Sequence, residues 1–180
     1  LLIICAITVR LFLFNGGIRG SDAYAYAKYA YKISKGIYNV KEVSCFYGLR
    51  YVLLIPTALS YKVFGVSDFS SSIFPFLYSL LNLYIVFYIC LTLLNIEIAY
   101  WASILLCFYP LDICFSSLLG PDSIIPFLSS LSILFYLLPQ INVNFNKYRT
   151  YCYFLCGILI GIACSARLTS IFLLFTIIVD

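Results

Sequence analysis

The chain has 180 residues, 64% of them hydrophobic and 10% charged, with a formal net charge of +4 and neither histidine nor methionine. A soluble domain carries about a quarter charged residues, so this composition excludes an ordinary water-soluble globule and indicates an integral membrane protein. The basic excess shows no groove-like interleaving, which argues against a nucleic-acid partner and makes anionic lipid the natural counterpart.

Eight cysteines raise the question of a disulfide or metal framework. All but one sit in apolar runs, no CxxC occurs, and without histidine the common zinc spacings cannot form. They read as small hydrophobes.

A hydrocarbon core about 30 Å thick takes about 20 mostly apolar helical residues to cross. Runs of that kind predict spans near 1–14, 71–94, 98–118, 123–139, 151–166 and 168–179. The opening run lacks the basic front and small-residue cleavage site of a signal peptide, so it reads as a shortened first span. The chain opens without methionine and stops inside an apolar run, which predicts a fragment of a longer protein.

Region 15–70 is mixed. Within it, "GSDAYAYAKYA" places Asp22 behind a glycine turn at the head of an alanine and tyrosine run. Ser21 is a good helix N-cap, the alanines favour helix, and Gly36 is placed to end it. The alternation in "AYAYA" also permits a strand, but the length and the following lysines favour helix. A capped helix lying on the membrane surface accounts for Asp22 structurally, and its tyrosines suit an interface. Further on, "YVLLIPTALSY" carries Pro56 between Arg50 and Lys62 and is too short to cross, which predicts a juxtamembrane or re-entrant helix. With 50–65 not crossing, Asp22, Asp68, Asp122 and Arg167 fall on one membrane face. The positive-inside rule disagrees about which one. Region 15–70 holds Arg19, Lys28, Lys32, Lys35, Lys41, Arg50 and Lys62 against Lys147 and Arg149 in the opposite loop, and this alone would make it cytoplasmic.

In "FYPLDICFSSLLGPDSIIPF", Asp112 lies near the end of an apolar run but still within the expected span, where an ionisable group needs a polar cavity or a partner. Gly120, Pro121 and Asp122 form a turn into the next helix, whose first turn accommodates an acid. The last informative stretch is "LCGILIGIACSARLTS". Gly157 and Gly161 make a GxxxG, read as a close helix-packing face. Arg167 is too unfavourable facing lipid, so 151–179 is expected to break there into two helices. A guanidinium at such a break either snorkels to the interface or grips a phosphate with paired donors.

Together these stretches resemble the GT-C class of membrane glycosyltransferases, most closely the protein mannosyltransferase and aminoarabinose transferase branch. The likeness is carried in order by "GSDAYAYAKYA", "YVLLIPTALSYKVFGVSDFSSSIFPFLYSLLNLYIVFYI", "FYPLDICFSSLLGPDSIIPF" and "GILIGIACSARLTS". It implies an all-α polytopic transmembrane helix bundle with juxtamembrane helices in a first extracytoplasmic loop, 15–70. On this resemblance, residues 1–180 are the N-terminal part of one transmembrane glycosyltransferase domain in the plasma membrane of a prokaryote, its active site facing outside. The activity implied is sugar transfer from a polyprenyl-phosphate-linked donor to a protein or lipid acceptor, with membrane lipids as further partners. Asp22 and Asp122 are the implied catalytic residues, and Arg167, Asp112 and Tyr26 the implied substrate-binding ones. No cofactor is called for; a divalent metal is compatible with the family pattern but not indicated by these residues. Two departures stand out: no arginine precedes the second main span in "SDFSSSIFPF", and the motif has one acid, Asp22, where several relatives have two. The competing class is a polytopic transporter or lipid flippase, against which the chain shows no inverted repeat and no matched pair of broken helices. A purely structural membrane subunit is the third.

Overall fold

A computed structural model describes residues 2–14, 16–43, 45–141 and 143–172. Every regular element among them is helical: α1 (Leu2–Phe12), α2 (Gly20–Ser34), α3 (Tyr51–Phe64), α4 (Asp68–Leu93), α5 (Ile96–Cys107), α6 (Pro110–Ser116), α7 (Ile124–Ile141), the short α8 (Val143–Asn146) and α9 (Arg149–Ala166), with three 3-10 turns. The all-α membrane bundle expected from the sequence is thus observed.

By length and hydropathy, α4, α7 and α9 are each able to cross a membrane among the described residues, and α5 with α6 adds a fourth span if the bent pair is counted as one. α1 is shorter than a span, and most of the segment expected at 168–179 lies outside the described residues. α3 has 14 residues, which at 1.5 Å per residue is ~21 Å, short of the ~30 Å hydrocarbon core.

α4 is the hub and packs against α1, α3, α5, α6 and α7. It begins with a reciprocal capping box, in which the Ser67 hydroxyl accepts from Ser70 N–H and the Ser70 hydroxyl accepts from Ser67 N–H. Asn95 caps α5 by accepting from Ile98 N–H at 2.8 Å. The run expected as one span over 98–118 is instead two helices bent by 59°. Pro110 explains the break: it lacks an N–H, and it drives Tyr109 into extended backbone at φ −67°, ψ 115°.

α7 and α9 pack together through a stripe of small and branched residues. Ile124, Leu128 and Ser132 on one helix, and Cys156, Ile160, Ala163 and Ala166 on the other, are buried. The Ser132 hydroxyl reaches the Cys156 carbonyl at 3.3 Å. Gly157 and Gly161 are not part of that face. Among the described residues a Cβ added to either meets nothing within 4 Å, so no packing role of the GxxxG is observed among them. The helical period explains this: residues 156, 160 and 163 define the buried stripe, and both glycines fall one step around from it.

Ser21 is also displaced from its expected role. The chain turns at Gly20 (φ +82°), Arg19 takes the cap position, and no side chain caps α2. Ser21 therefore falls inside the first turn. The helix does end before Gly36, whose φ is +70°.

Gly17 marks the tightest approach. A Cβ there would lie 2.4 Å from the Asp68 carbonyl oxygen and 2.6 Å from Ser72 Oγ. Gly17→Ala should therefore destabilise the bundle by ~1–3 kcal/mol, read as a lower thermal midpoint in detergent. Gly157→Ala and Gly161→Ala should leave that midpoint unchanged or raise it.

Candidate active site

Four stretches distant in sequence meet at one end of the bundle around a cavity of about 390 Å³. α2 supplies Asp22 and Tyr26. Its buried face, Ala23, Tyr26, Ala27 and Ala30, repeats at helical spacing and packs on α3, the alanines allowing close approach. Asp22 therefore stands at the exposed entrance while the alanine and tyrosine run anchors the helix behind it.

The 3-10 turn Phe46–Leu49 and the start of α3 add Phe46, Tyr47 and Arg50. Tyr47 Oη donates to Asp22 Oδ1 at 2.8 Å, and Ser21 Oγ donates to the same oxygen at 3.2 Å. Among the described residues, both bonds fall on Oδ1, leaving Oδ2 available. The bond to the carboxylate is the chief reason the Tyr47 phenol titrates above its ordinary range. Arg50 lies among three rings, its guanidinium carbon 4.9 Å from the Phe46 centroid, 5.7 Å from Tyr26 and 6.0 Å from Tyr47. It also donates to Tyr26 Oη. Burial raises the Tyr26 phenol, and the neighbouring Arg50 cation opposes that shift.

The opposite wall comes from the α6 exit and the end of α9. Phe115, Gly120, Pro121 and Asp122 line the cavity, and Arg167 closes it. Arg167 Nη1 pairs with Asp122 Oδ1 at 2.9 Å, with 52% of the Arg167 side chain and 32% of that of Asp122 exposed. So wet a pair is worth only ~0–1 kcal/mol. A guanidinium carries five donors, so Arg167 can hold Asp122 and still offer an edge to an incoming anion. Arg19 brings a third cation to the rim.

The cavity thus gathers Asp22, Asp122, Arg167 and Tyr26 from the expected residues. Asp112 lies elsewhere. It is buried against Arg10 of α1, Nη2 to Oδ2 at 2.5 Å, and lines no part of the cavity. Arg50, Tyr47 and Arg19 were not singled out from sequence. For the first two the signal is "CFYGLR", an aromatic pair one 3-10 turn before an arginine at a helix start. Among the described residues, no three His, Cys, Asp or Glu side chains gather as a ligand set for a metal.

The sequence profile of the dolichyl-phosphate-mannose-protein mannosyltransferase family matches residues 52–179. The chain belongs to this family. It is thereby placed among membrane glycosyltransferases of the GT-C type. The matched interval contains Asp122 and Arg167, whereas Asp22 and Tyr26 precede it and join the site only through the fold. No curated protein and no solved structure matches the chain.

Because the cavity unites the two halves of the site, cysteines introduced at Asn39 and Gly120 in a cysteine-free background should both react with an impermeant thiol reagent added to the same side of sealed vesicles. Reaction of only one would place the segments on opposite faces.

Proposed function

We propose that this protein transfers a single sugar from a polyprenyl-phosphate-linked donor to a hydroxyl of a protein or lipid acceptor at the extracytoplasmic face of the membrane. The observation that carries the reading is the cavity itself: two carboxylates and three arginines gathered at one end of an apolar bundle. A long apolar carrier confines the donor to the bilayer, so its phosphate must be met at the membrane boundary. Residues 1–180 then form the N-terminal part of one transmembrane catalytic domain.

The chemistry follows from charge. The bond from sugar C1 to the donor phosphate oxygen breaks, and the polyprenyl phosphate leaves as an anion. Arg167, with its remaining donors, stabilises the charge that develops on that phosphate. The acceptor oxygen forms the new bond to C1 and gives up its proton to Asp22, whose Oδ2 faces no other donor among the described residues. Tyr47 holds the carboxylate in one orientation through Oδ1. Asp122, held by Arg167 through Oδ1, positions the acceptor. Tyr26 and Arg50, bonded to each other, form the wall against which the donor lies.

Asp22→Asn separates capping from catalysis with almost no change of shape. No side chain caps α2, so a structural role predicts a near-silent change. Loss of a general base typically costs about a hundredfold to ten-thousandfold. Transfer from polyprenyl-phosphate mannose by the intact protein in proteoliposomes should collapse in Asp22→Asn at normal expression. More than half the wild-type rate would reject the role. Arg167→Lys should retain more transfer than Arg167→Leu, because the charge survives while the paired geometry is lost; equal rates for Arg167→Leu and wild type would remove Arg167 from the mechanism.

A further inference from the structure

We propose that the buried pair Arg10 and Asp112 positions the cavity, fixing the spacing between the two segments that deliver Asp22 and Asp122; its catalytic consequence rests on the sugar transfer proposed above. Neither residue lines the cavity. Arg10 is on α1, Asp112 on α6, and Ser79 of α4 lies between them.

The three side chains close a triangle. Arg10 Nη2 donates to Asp112 Oδ2 at 2.5 Å, Arg10 Nε donates to Ser79 Oγ at 2.7 Å, and Ser79 Oγ donates to the same Asp112 oxygen at 2.5 Å. Arg10 Nη1 reaches the Ala6 carbonyl of its own helix at 3.2 Å. The Arg10 side chain has no exposed surface, and that of Asp112 is 9% exposed. Ser79 is eleven residues into α4 from Asp68, which at 1.5 Å per residue places the triangle ~16 Å below the cavity end of that helix. At that depth a charge must be paired.

What the pair joins is decisive. Asp22 lies twelve residues beyond Arg10, and Asp122 ten beyond Asp112. The two exit segments are joined higher up, where Leu119 N–H donates to the Gly17 carbonyl at 2.8 Å, and the α6 exit is tied to α4 by Ser72 Oγ donating to the Ser117 carbonyl at 2.8 Å. The ion pair is the lower rung of this ladder. α6 has only seven residues and is set off from α5 by the 59° bend. So short a helix has no orientation of its own. Two apolar side chains could fill the same space without the desolvation cost, but they would accept α6 at many rotations about its axis. A guanidinium that bonds Asp112 through Nη2 and Ser79 through Nε accepts few.

The test uses the intact protein in proteoliposomes. The double variant Arg10→Met with Asp112→Leu leaves no unpaired buried charge and is expected to fold, whereas either change alone strands one. In the double variant, kcat should fall at least tenfold with the KM for polyprenyl-phosphate mannose within about twofold, since misplacement of reacting groups by about 1 Å costs on the order of a hundredfold. Arg10→Lys, which keeps the charge and loses the fork, should show a smaller fall in the same direction, and it serves as the test if the double variant fails to insert. Spin labels at Tyr24→Cys on α2 and native Cys114 on α6, with the other cysteines replaced, supply a readout independent of activity. Their distance distribution should be narrow in the wild type and broaden in both variants. A wild-type kcat, or an unbroadened distribution, in a folded variant would overturn the proposal and leave the pair a purely stabilising one. If the wild type itself transfers no sugar, the proposed function fails while the label distances still decide the spacing role.

Discussion

A guanidinium held away from water inside an apolar bundle must be neutralised and have its donors met, and Arg10 satisfies that demand with Asp112, Ser79 and the Ala6 carbonyl. The surrounding architecture is arranged so that these partners converge. α4 must present Ser79 to the interior, and its buried line of Ser72, Pro75, Ser79 and Asn82 follows a helical period facing its neighbours. The α5 run must break, and Pro110 breaks it two residues before Asp112. Both consequences lead to the cavity, because the segments leaving α1 and α6 are the ones that carry its acids.

The two ion pairs found among the described residues show how environment assigns different roles to the same chemical groups. Arg10 has no exposed side-chain surface and Asp112 only 9%, so neither readily exchanges its partner without stranding a charge. Arg167 and Asp122 are wet, and their mutual attraction is comparable to thermal energy. The first pair is suited to fixing geometry. The second is suited to opening for a ligand, and its cation faces the space where an anionic leaving group would be released.

Local sequence chemistry was legible where a single segment decides the outcome. The end of α2 before Gly36 and the failure of α3 to reach membrane length both follow from short-range rules of backbone conformation and rise per residue. Reading failed where two equivalent local solutions compete. Ser21 is as good a cap as the sequence offers, yet a turn one residue earlier at Gly20 moves it inside the helix. Gly157 and Gly161 form a packing motif, yet the partner helix lies against the neighbouring stripe of Cys156, Ile160 and Ala163. Helical periodicity defines faces, and it does not say which of two apolar faces is covered.

Composition and hydropathy by themselves determined that the chain is an all-helical membrane protein, roughly where its long helices run, and that Asp22, Asp122 and Arg167 stand at helix ends, because those properties depend on residues near one another in sequence. The motifs also carried the family likeness, since a profile reads residues in order. Only the tertiary structure decided that Asp112 belongs to Arg10 and not to the cavity, that Tyr47 and Arg50 surround Asp22 and Tyr26, and that Asp122 meets Arg167. Each of those is a contact between residues 24 to 102 positions apart. A buried charge announces that it needs a partner; which of several opposite charges supplies it depends on how the helices pack.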